Sequence, residues 1–435
     1  MTTAPDGRRF AVRLAAVAVG ALAMRVGYVL ALGHRIAFGL DALWYELVAG
    51  TIASGDGYVD PATFYRTGVA VPTAFRPPLY PGFLAVVSEG FGGTRTTFQV
   101  AGCLLGTLTV VLVGLLGRRV GGPTVGLCAA ALAAGYPVLV AIDASNMSEA
   151  LYVPLVAGAL LAAFSAIERP TAWRWALLGV LVGAGALTRA DGVVLVPALL
   201  VPAALRTRVV PSRRLLLGGV AVIAFALTLA PWLVRNQVRI GRPALATLDG
   251  ATVLAGANCD ATYGGAKLGS WEHGCTRRAA EGRLGEVALS DELQGDAVRY
   301  ALDHKARLPL VAAVRFLRLW GAYDPLGEAR QERVESRIYH WQVLSWATYV
   351  PVALLAVYGT IILVRRRVAI LPLVAVMAAV TATGVLAYGK ARLRATAEPA
   401  LLVAASVAVV HLAHRWAGRG REGPALSPSV TAGRR

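Results

Sequence analysis

The chain has 435 residues, of which 56% are hydrophobic and only 16% are charged, and its net charge is +18. This composition excludes an ordinary soluble domain and indicates an integral membrane protein. Many of the arginines lie in short stretches between apolar segments, and no basic stripe with interleaved aromatic residues is present. The sequence therefore predicts no nucleic-acid partner.

Several apolar segments are long enough to be candidate membrane-spanning helices. Clusters of arginine follow alternate segments, as at 118–119 and 365–367, and the positive-inside rule places these clusters and both termini in the cytoplasm. The predicted fold class is an all-α polytopic protein of the cytoplasmic membrane, with about ten transmembrane helices in contact with the lipid bilayer. The candidate spans are 10–32, 96–117, 123–142, 149–167, 173–189, 192–206, 215–234, 341–364, 368–388 and 396–414.

The outer side then receives most of the polar and irregular sequence, in a first outer loop, 33–95, and a larger one, 235–340. Within the first loop, the stretches 41–54 and 77–92 are apolar but too short to span, which predicts two interfacial helices. We expect residues 1–419 to form one transmembrane domain. The remainder, 420–435, is rich in Gly, Pro, Ser and Arg and is predicted to be a disordered cytoplasmic tail.

The cysteines agree with this orientation. Cys259 and Cys275 both lie in the larger outer loop, where an oxidising exterior allows a disulfide. A metal site at this pair is disfavoured, because His273 is nearby but a complete ligand set is missing. The sequence thus names no metal ligands, and it leaves open the use of a divalent cation or another cofactor.

Carboxylates on the outer side are the first candidates for chemistry. Asp41 stands at the start of the 41–54 helix, where it either caps the helix or acts as a general base toward an acceptor hydroxyl. Asp143 and Glu149 flank a short outer turn between two spans. Acids at one membrane depth are expected to face a cavity or a partner rather than lipid.

Basic and polar residues gather on the same side. Snorkelling at the interface is their common explanation, but positive charge on the outer side opposes the topological bias. These residues are therefore candidates for binding an anion such as a phosphate, whose geometry a guanidinium matches. They are Arg76, Arg189, Arg235 with its neighbour Asn236, Lys390, Arg392 and Arg394.

The order of these motifs resembles the GT-C superfamily of polyprenyl-phosphate-dependent glycosyltransferases, and within it the protein O-mannosyltransferase and aminoarabinose transferase group. The likeness covers residues 10–415 and depends on the order and membrane side of the motifs rather than on any one of them. The motifs are the Asp-headed first loop, RPPLYP, YP followed by SE, LTR, PW followed by RN, and RLR followed by EP. One departure is Ala42, where many relatives have a glutamate directly after the aspartate.

The resemblance implies a lipid-linked sugar donor on the outer face and an acceptor hydroxyl on a glycan, lipid or protein. Transfer would invert the anomeric centre in a single displacement, with Asp41 as the base. Other residues would stabilise the departing donor phosphate, namely Arg392, Arg394, Lys390 and Arg189. The remaining candidates would line the substrate pocket, namely Asp143, Glu149, Arg76, Tyr80 and Asn236.

Two other classes of protein compete with this interpretation. A lipid-linked saccharide flippase, or another transporter, should carry charges or broken helices near the membrane midplane. A non-catalytic membrane scaffold gives no reason for acids and arginines to gather on one face. The predicted spans are apolar at midplane and the polar residues crowd the outer side, which favours the enzyme.

Overall fold

The computed structural model describes residues 4–37, 39–276 and 285–416, and this part of the chain is mostly helical, with one isolated β-bridge between Val59 and Pro72. The predicted tail, 420–435, lies outside the described residues. The α-helices are α1 (Ala4–Leu32), α2 (Leu40–Ala53), α3 (Pro61–Thr67), α4 (Leu79–Phe91), α5 (Arg95–Gly135), α6 (Pro137–Asp143), α7 (Glu149–Glu168), α8 (Ala172–Thr188), α9 (Val201–Arg206), α10 (Pro211–Ile240), α11 (Leu248–Ala257), α12 (Asp260–Tyr263), α13 (Glu286–Asp303), α14 (Leu308–Leu319), α15 (Pro325–Gln331), α16 (Tyr339–Arg365), α17 (Leu371–Leu386) and α18 (Glu398–Trp416).

Within the described residues, six segments are long and apolar enough to cross a membrane. They contain α1, α5, α7, α10, α16 and α18, and the predicted all-α polytopic class is confirmed. The helices α8 and α17 are apolar but shorter. The count of ten spans therefore stays a prediction.

Some predicted spans have different boundaries. The long helix α5 contains a non-helical residue, Gly122, whose φ is 85°, so it is two helices joined at a kink. The kink falls between the predicted spans 96–117 and 123–142. The second of these ends early because Pro137 begins a separate helix, α6, after an extended Tyr136.

The predicted span 192–206 is helical but is not a single α-helix. It consists of part of a 3-10 segment, Ala190–Val194, then a π-helix, Val196–Leu200, and the short helix α9. Pro197 and Pro202 lack the N–H group that a regular α-helix requires, so the ladder of hydrogen bonds is interrupted here.

The helix α18 lies at the centre of the bundle, where it packs against α16 and α5 and is buried from residue 398 to residue 408. Close approach depends on small residues. A Cβ atom added to Gly359 would collide with the carbonyl oxygen of Ala404, and one added to Gly179 would collide with that of Ala221. Packing through glycine and alanine is typical of helices in lipid.

The basic segments predicted to be cytoplasmic meet at one end of the bundle. Arg119 pairs with Glu168 at 2.5 Å, and Arg118 lies over the ring of Phe10, 4.4 Å from its centroid. Since α7 runs away from this end toward Glu149, the beginning of α7 lies at the opposite end. The candidates for chemistry are found there.

Two loop regions cover that opposite end. The helices predicted in the first loop are present as α2 and α4, with the short α3 between them, and the larger loop contains α11 to α15. A disulfide joins Cys259 and Cys275. Glu286 of α13 accepts hydrogen bonds from the Thr73 hydroxyl at 2.7 Å and the Ala74 backbone N–H at 2.9 Å, which ties the two loops together.

Candidate active site

Charged side chains from separate parts of the chain converge at this end of the bundle. They come from the first turn of α2, the segment before α4, the start of α7, the residue after α8, the turn after α15, and the segment before α18. We call this group the Asp41 cluster. Its members are Asp41, Arg76, Glu149, Arg189, Glu335, Lys390 and Arg392.

Asp41 is held between two guanidinium groups. Its Oδ1 accepts a hydrogen bond from Arg76 at 2.6 Å, and its Oδ2 accepts one from Arg392 at 3.1 Å. The N-cap of α2 is Gly39, so Asp41 lies in the first turn and is not the cap. Burial raises the pKa of Asp41, but the two guanidiniums outweigh burial and hold that pKa below its usual value, which keeps the carboxylate ionised at neutral pH.

Exposure distinguishes Asp41 from the rest of the cluster. Its side chain is 33% exposed, whereas that of Arg392 is 8% exposed and that of Glu149 only 1%. The cluster therefore presents one carboxylate to the surroundings and keeps its other charges covered.

Arg76 is fixed by aromatic rings as well as by Asp41. Its guanidinium carbon lies 5.5 Å from the ring centroid of Trp44, 4.9 Å from that of Tyr45 and 5.2 Å from that of Phe75. Contacts of this kind stabilise a cation by about 1 kcal/mol each, and by more when water is excluded. The position of Arg76 is therefore set independently of its ion pair.

Arg392 is the centre of the cluster. Its guanidinium contacts the carboxylates of Asp41, Glu149 and Glu335. A fork with several N–H groups suits arginine to this bridging position, which the single ammonium of a lysine would not fill.

Each carboxylate around Arg392 has a second cationic partner. Arg76 pairs with Asp41, Arg189 pairs with Glu149 at 2.8 Å, and Lys390 pairs with Glu335. Every carboxylate of the cluster is therefore compensated, and the four cations exceed the three carboxylates by one. The sequence-predicted residues that the structure brings together here are Asp41, Arg76, Glu149, Arg189, Lys390 and Arg392.

Glu335 is a cluster member that the sequence analysis missed. Burial raises the pKa of Glu335, but the charges of Arg392 and Lys390 lower it by more, so the pKa lies well below its usual value. A signal existed: Glu328, Glu332 and Glu335 repeat at helical spacing directly before a predicted span. Acids in such a position are expected to have buried partners.

Asp249, near the start of α11, is a second carboxylate that the analysis missed. Burial raises its pKa; the charge of Arg76 lowers it and the charge of Asp41 raises it, with a net upward shift. Asp249 lies beside this part of the site, because its backbone N–H donates to the carbonyl of Phe75, the neighbour of Arg76, at 3.2 Å. Among the described residues, no three His, Cys, Asp or Glu side chains are grouped so as to hold a metal ion.

Other predicted site residues lie outside the cluster. Asp143 is buried and pairs with Arg25 of α1 at 2.7 Å. Asn236 is buried and donates to the carbonyl of Ala244 at 2.6 Å, a contact within the scaffold. Tyr80 is buried and packs edge-on against an aromatic ring of α2.

Arg394 is also placed away from Asp41. It pairs with Glu398 at 2.9 Å, donates to the carbonyl of Leu319 at 3.2 Å, and lies over the ring of Tyr349. It lines a cavity to which no member of the Asp41 cluster contributes. Arg392 and Arg394 are two residues apart in sequence but serve different sites.

Comparison with known proteins supports the resemblance seen in the sequence. Residues 75–234 match the family of dolichyl-phosphate-mannose-protein mannosyltransferases. No curated protein matches the chain by sequence. The matched region includes Arg76, Tyr80, Asp143, Glu149 and Arg189, but it begins after Asp41 and ends before Arg392.

The fold is shared with a solved membrane enzyme. The oligosaccharyltransferase AglB of Archaeoglobus fulgidus, in complex with an inhibitory peptide and a dolichol-phosphate, matches with a TM-score of 0.53 at 15% identity, over 95% of this chain and 52% of that one. An oligosaccharyltransferase of Archaeoglobus fulgidus tethered to an acceptor peptide has a TM-score of 0.54 at 15% identity, over 94% of this chain and 50% of that one. This chain therefore spans about half the length of these two relatives.

A further match is ArnT of Cupriavidus metallidurans bound to undecaprenyl phosphate, with a TM-score of 0.44 at 16% identity, over 96% of this chain and 79% of that one. The predicted resemblance to the GT-C superfamily is confirmed. The chain is a multi-pass membrane protein that shares its fold with AglB.

Proposed function

We propose that this protein is a membrane glycosyltransferase that moves a sugar from a polyprenyl-phosphate donor to an acceptor hydroxyl on the outer face of the cytoplasmic membrane. The observation that supports this most directly is the Asp41 cluster. It combines a partly exposed, ionised carboxylate with guanidinium groups that bind the same carboxylate. An inverting transfer needs both a base and a site for a phosphate leaving group.

The reaction balances with these groups. The acceptor oxygen attacks the anomeric carbon and loses its proton to Asp41. The bond between the anomeric carbon and the donor phosphate oxygen breaks, and the polyprenyl phosphate leaves with the electron pair. Arg392, Lys390 and Arg189 are the cations that would stabilise the charge developing on that phosphate.

The ion pairs of Asp41 suggest how its basicity is controlled. While Arg76 and Arg392 hold both oxygens, the lowered pKa makes Asp41 a weak base. A donor phosphate that attracts these guanidiniums would weaken their hold on Asp41, and the pKa of the carboxylate would rise. The base would thus become effective only when the leaving group is in place.

The acceptor is a hydroxyl on a glycan, lipid or protein. Glu149, behind Arg392, would hold the guanidinium in position rather than contact the acceptor, since its side chain is only 1% exposed. Asp249 is a second carboxylate near Asp41 and a candidate to orient the acceptor where Ala42 replaces the glutamate of many relatives. The scheme uses only side chains of this chain and leaves open the use of a divalent metal ion.

The proposed topology has both termini in the cytoplasm and the Asp41 cluster outside. It is supported by the grouping of Arg118, Arg119 and Glu168 at the end of the bundle opposite Glu149. Labelling of single cysteines with a membrane-impermeant reagent in whole cells tests it. We expect labelling at Arg66→Cys and protection at Arg208→Cys. The reverse pattern would show that the topology is opposite to the one proposed.

A lipid-linked saccharide flippase remains the second candidate. Two structural observations favour a flippase and were not apparent from the sequence. They are the irregular helical segment from Ala190 to Arg206 and the buried ion pair of Arg25 with Asp143. Features of this kind occur in transporters. The same protein can be tested for both activities.

The decisive experiment uses purified protein and labelled sugars on polyprenyl-phosphate donors, in detergent and in liposomes. Transfer to an acceptor by the wild type, lost in Asp41→Asn, supports the enzyme. Movement of the donor across the liposome bilayer without turnover would refute the enzyme and support the flippase.

A further inference from the structure

A cavity with buried polar side chains in its lining lies beside the Asp41 cluster, between α14, α15, α16 and the segment before α18. Gly321, Pro325 and Trp346 line it and are partly exposed, so it opens to the surroundings. The indole N–H of Trp346 donates to the carbonyl of Gly321 at 2.9 Å, which fixes the ring. Nothing in the proposed transfer reaction uses this cavity.

The wall between the cavity and the cluster contains Glu332. This carboxylate pairs with Arg337, which lines the cavity, at 2.6 Å. On its other side it lies 3.9 Å from Lys390, a member of the Asp41 cluster. The cavity is therefore a separate site that adjoins the first.

Several buried groups that line the cavity have polar atoms without a hydrogen-bond partner in the described part of the chain. The unpaired N–H donors are Arg337 Nε and Nη2 and Gln342 Nε2, and the unpaired hydroxyl is Ser345 Oγ. The acceptors are Glu328 Oε2 and Glu332 Oε1. These residues are at most 9% exposed. Leaving one buried polar group unpaired costs about 1–3 kcal/mol, so such a concentration calls for bound water or a ligand.

The charges in the cavity are already balanced. Arg318 pairs with Glu328 at 2.6 Å and Arg337 pairs with Glu332 at 2.6 Å. Arg394 has its own partner in Glu398, as described above. An anion would therefore find no uncompensated cation here, and it would approach unpaired carboxylate oxygens.

A neutral polyhydroxyl group fits better, because each hydroxyl both donates and accepts. Hydroxyl donors can reach Glu328 and Glu332, and hydroxyl acceptors can reach Arg337, Gln342 and Ser345. The fixed face of Trp346 offers an apolar surface for the C–H groups of a sugar ring. Burial raises the pKa of Glu328 to about 7, so near neutral pH this carboxyl can also donate.

We propose that this cavity is a saccharide-binding site that takes the hydroxyl edge of a neutral sugar ring, separate from the Asp41 cluster. The sugar belongs either to the acceptor glycan or to a donor that carries more than one sugar. Binding does not require transfer, so the proposal stands or falls independently of the role of Asp41.

The test is saturation-transfer NMR of the purified full-length protein in a detergent without a sugar headgroup. The probes are methyl α-D-mannopyranoside, methyl α-D-glucopyranoside and methyl α-D-arabinofuranoside, with inorganic phosphate as the anion. We expect at least one glycoside to bind and to remain bound in excess phosphate. Absence of glycoside binding, or displacement by phosphate alone, would overturn the proposal.

Variants locate the binding. Gln342→Leu and Ser345→Ala each remove an unpaired polar atom, so they should weaken glycoside binding by roughly 3- to 10-fold while leaving the thermal midpoint of the free protein unchanged or raised. Ser406→Ala is the matched control, because the Ser406 hydroxyl bonds the carbonyl of Val403 at 2.7 Å within α18. Equal binding by all three variants and the wild type would refute the assignment.

The source of the sugar is assigned by competition in the transfer assay. A bound glycoside that competes with the acceptor identifies an acceptor glycan, and one that competes with the lipid donor identifies a donor sugar. Both results support the site. Inhibition that is unchanged in Gln342→Leu would place the competing glycoside elsewhere and contradict it.

Discussion

Replacement of Asp41 by asparagine should separate binding of the donor from transfer of the sugar. Asp41→Asn keeps the size of the side chain and removes its charge and basicity. Arg392 retains Glu149 and Glu335 as partners, and Arg76 retains its aromatic rings. The Asp41 side chain is 33% exposed, so its ion pairs lie between surface and buried pairs, and loss should cost about 1–2 kcal/mol of stability.

We expect Asp41→Asn to lower the rate of transfer and to strengthen binding of the donor. Loss of a general base typically lowers a rate by about 10²- to 10⁴-fold, which we expect in kcat. Removing a negative charge from between two guanidiniums should strengthen phosphate binding by about 1 kcal/mol, or roughly fivefold in the Kd of the lipid donor. A residue with only a structural role would instead weaken binding and transfer together.

The assay combines single-turnover transfer of labelled sugar with donor titration under conditions without acceptor. Asp191→Asn is the matched control, because Asp191 pairs with Arg189 of the same cluster at 3.0 Å and does not contact Asp41. The control should keep kcat within a few-fold of the wild type. Transfer by Asp41→Asn at the wild-type rate, or a parallel loss of donor binding, would refute the base assignment.

Other changes give distinct outcomes. Arg392→Lys keeps the charge but not the fork that bridges three carboxylates, so donor affinity should fall by roughly 10- to 100-fold, or about 1.5–3 kcal/mol, in the same titration. An unchanged affinity would exclude the phosphate role. Because burial raises the pKa of Glu328 to about 7, the native protein binds that proton more tightly than the unfolded chain; unfolding free energy should therefore fall as pH rises from 4.5 to about 7 and then level off. Thermal unfolding of Glu328→Gln should lack this fall, and an identical pH profile would contradict the shift. Replacing Cys259 and Cys275 together by serine opens a loop with a sequence separation of 16 and should cost about 3 kcal/mol, seen as a lower thermal midpoint that reductant no longer changes; free thiols in the untreated wild type would exclude the disulfide.

The helical character of most of the chain could be predicted from the sequence because its signals are local, whereas the side of the membrane on which each loop lies stays a prediction. An apolar run and the arginines beside it are recognised from neighbouring residues alone. They indicated the helical segments and the end of the bundle where Asp41 lies. Breaks within helices were harder. Pro197 and Pro202 are visible in the sequence, but prolines are tolerated in membrane helices, so they did not by themselves predict a π-helix between Ala190 and Arg206.

The partners within the site could not be predicted because they depend on contacts between distant segments. Glu335 lies 57 residues from Arg392 in sequence, and nothing in either segment specifies the other. Asp143 is an acid of the type expected in an active site, but its partner is Arg25 inside the bundle, 118 residues away in sequence. Residue type and membrane depth therefore identified candidates, and only packing decided which of them share a site.

The segment Ala391–Ala397 explains why the two neighbouring arginines separate. It is a 3-10 helix, in which residues repeat every three positions, so side chains two positions apart point in directions that differ by about 120°. Arg392 is thereby directed to Asp41, and Arg394 to the cavity that Trp346 lines. The backbone at Lys390, directly before this helix, is extended, and the Lys390 ammonium reaches Glu335. One short segment can therefore supply a cation to each of two sites, with Glu332 between them, and an Arg-x-Arg pattern is not sufficient reason to assign both arginines to one phosphate.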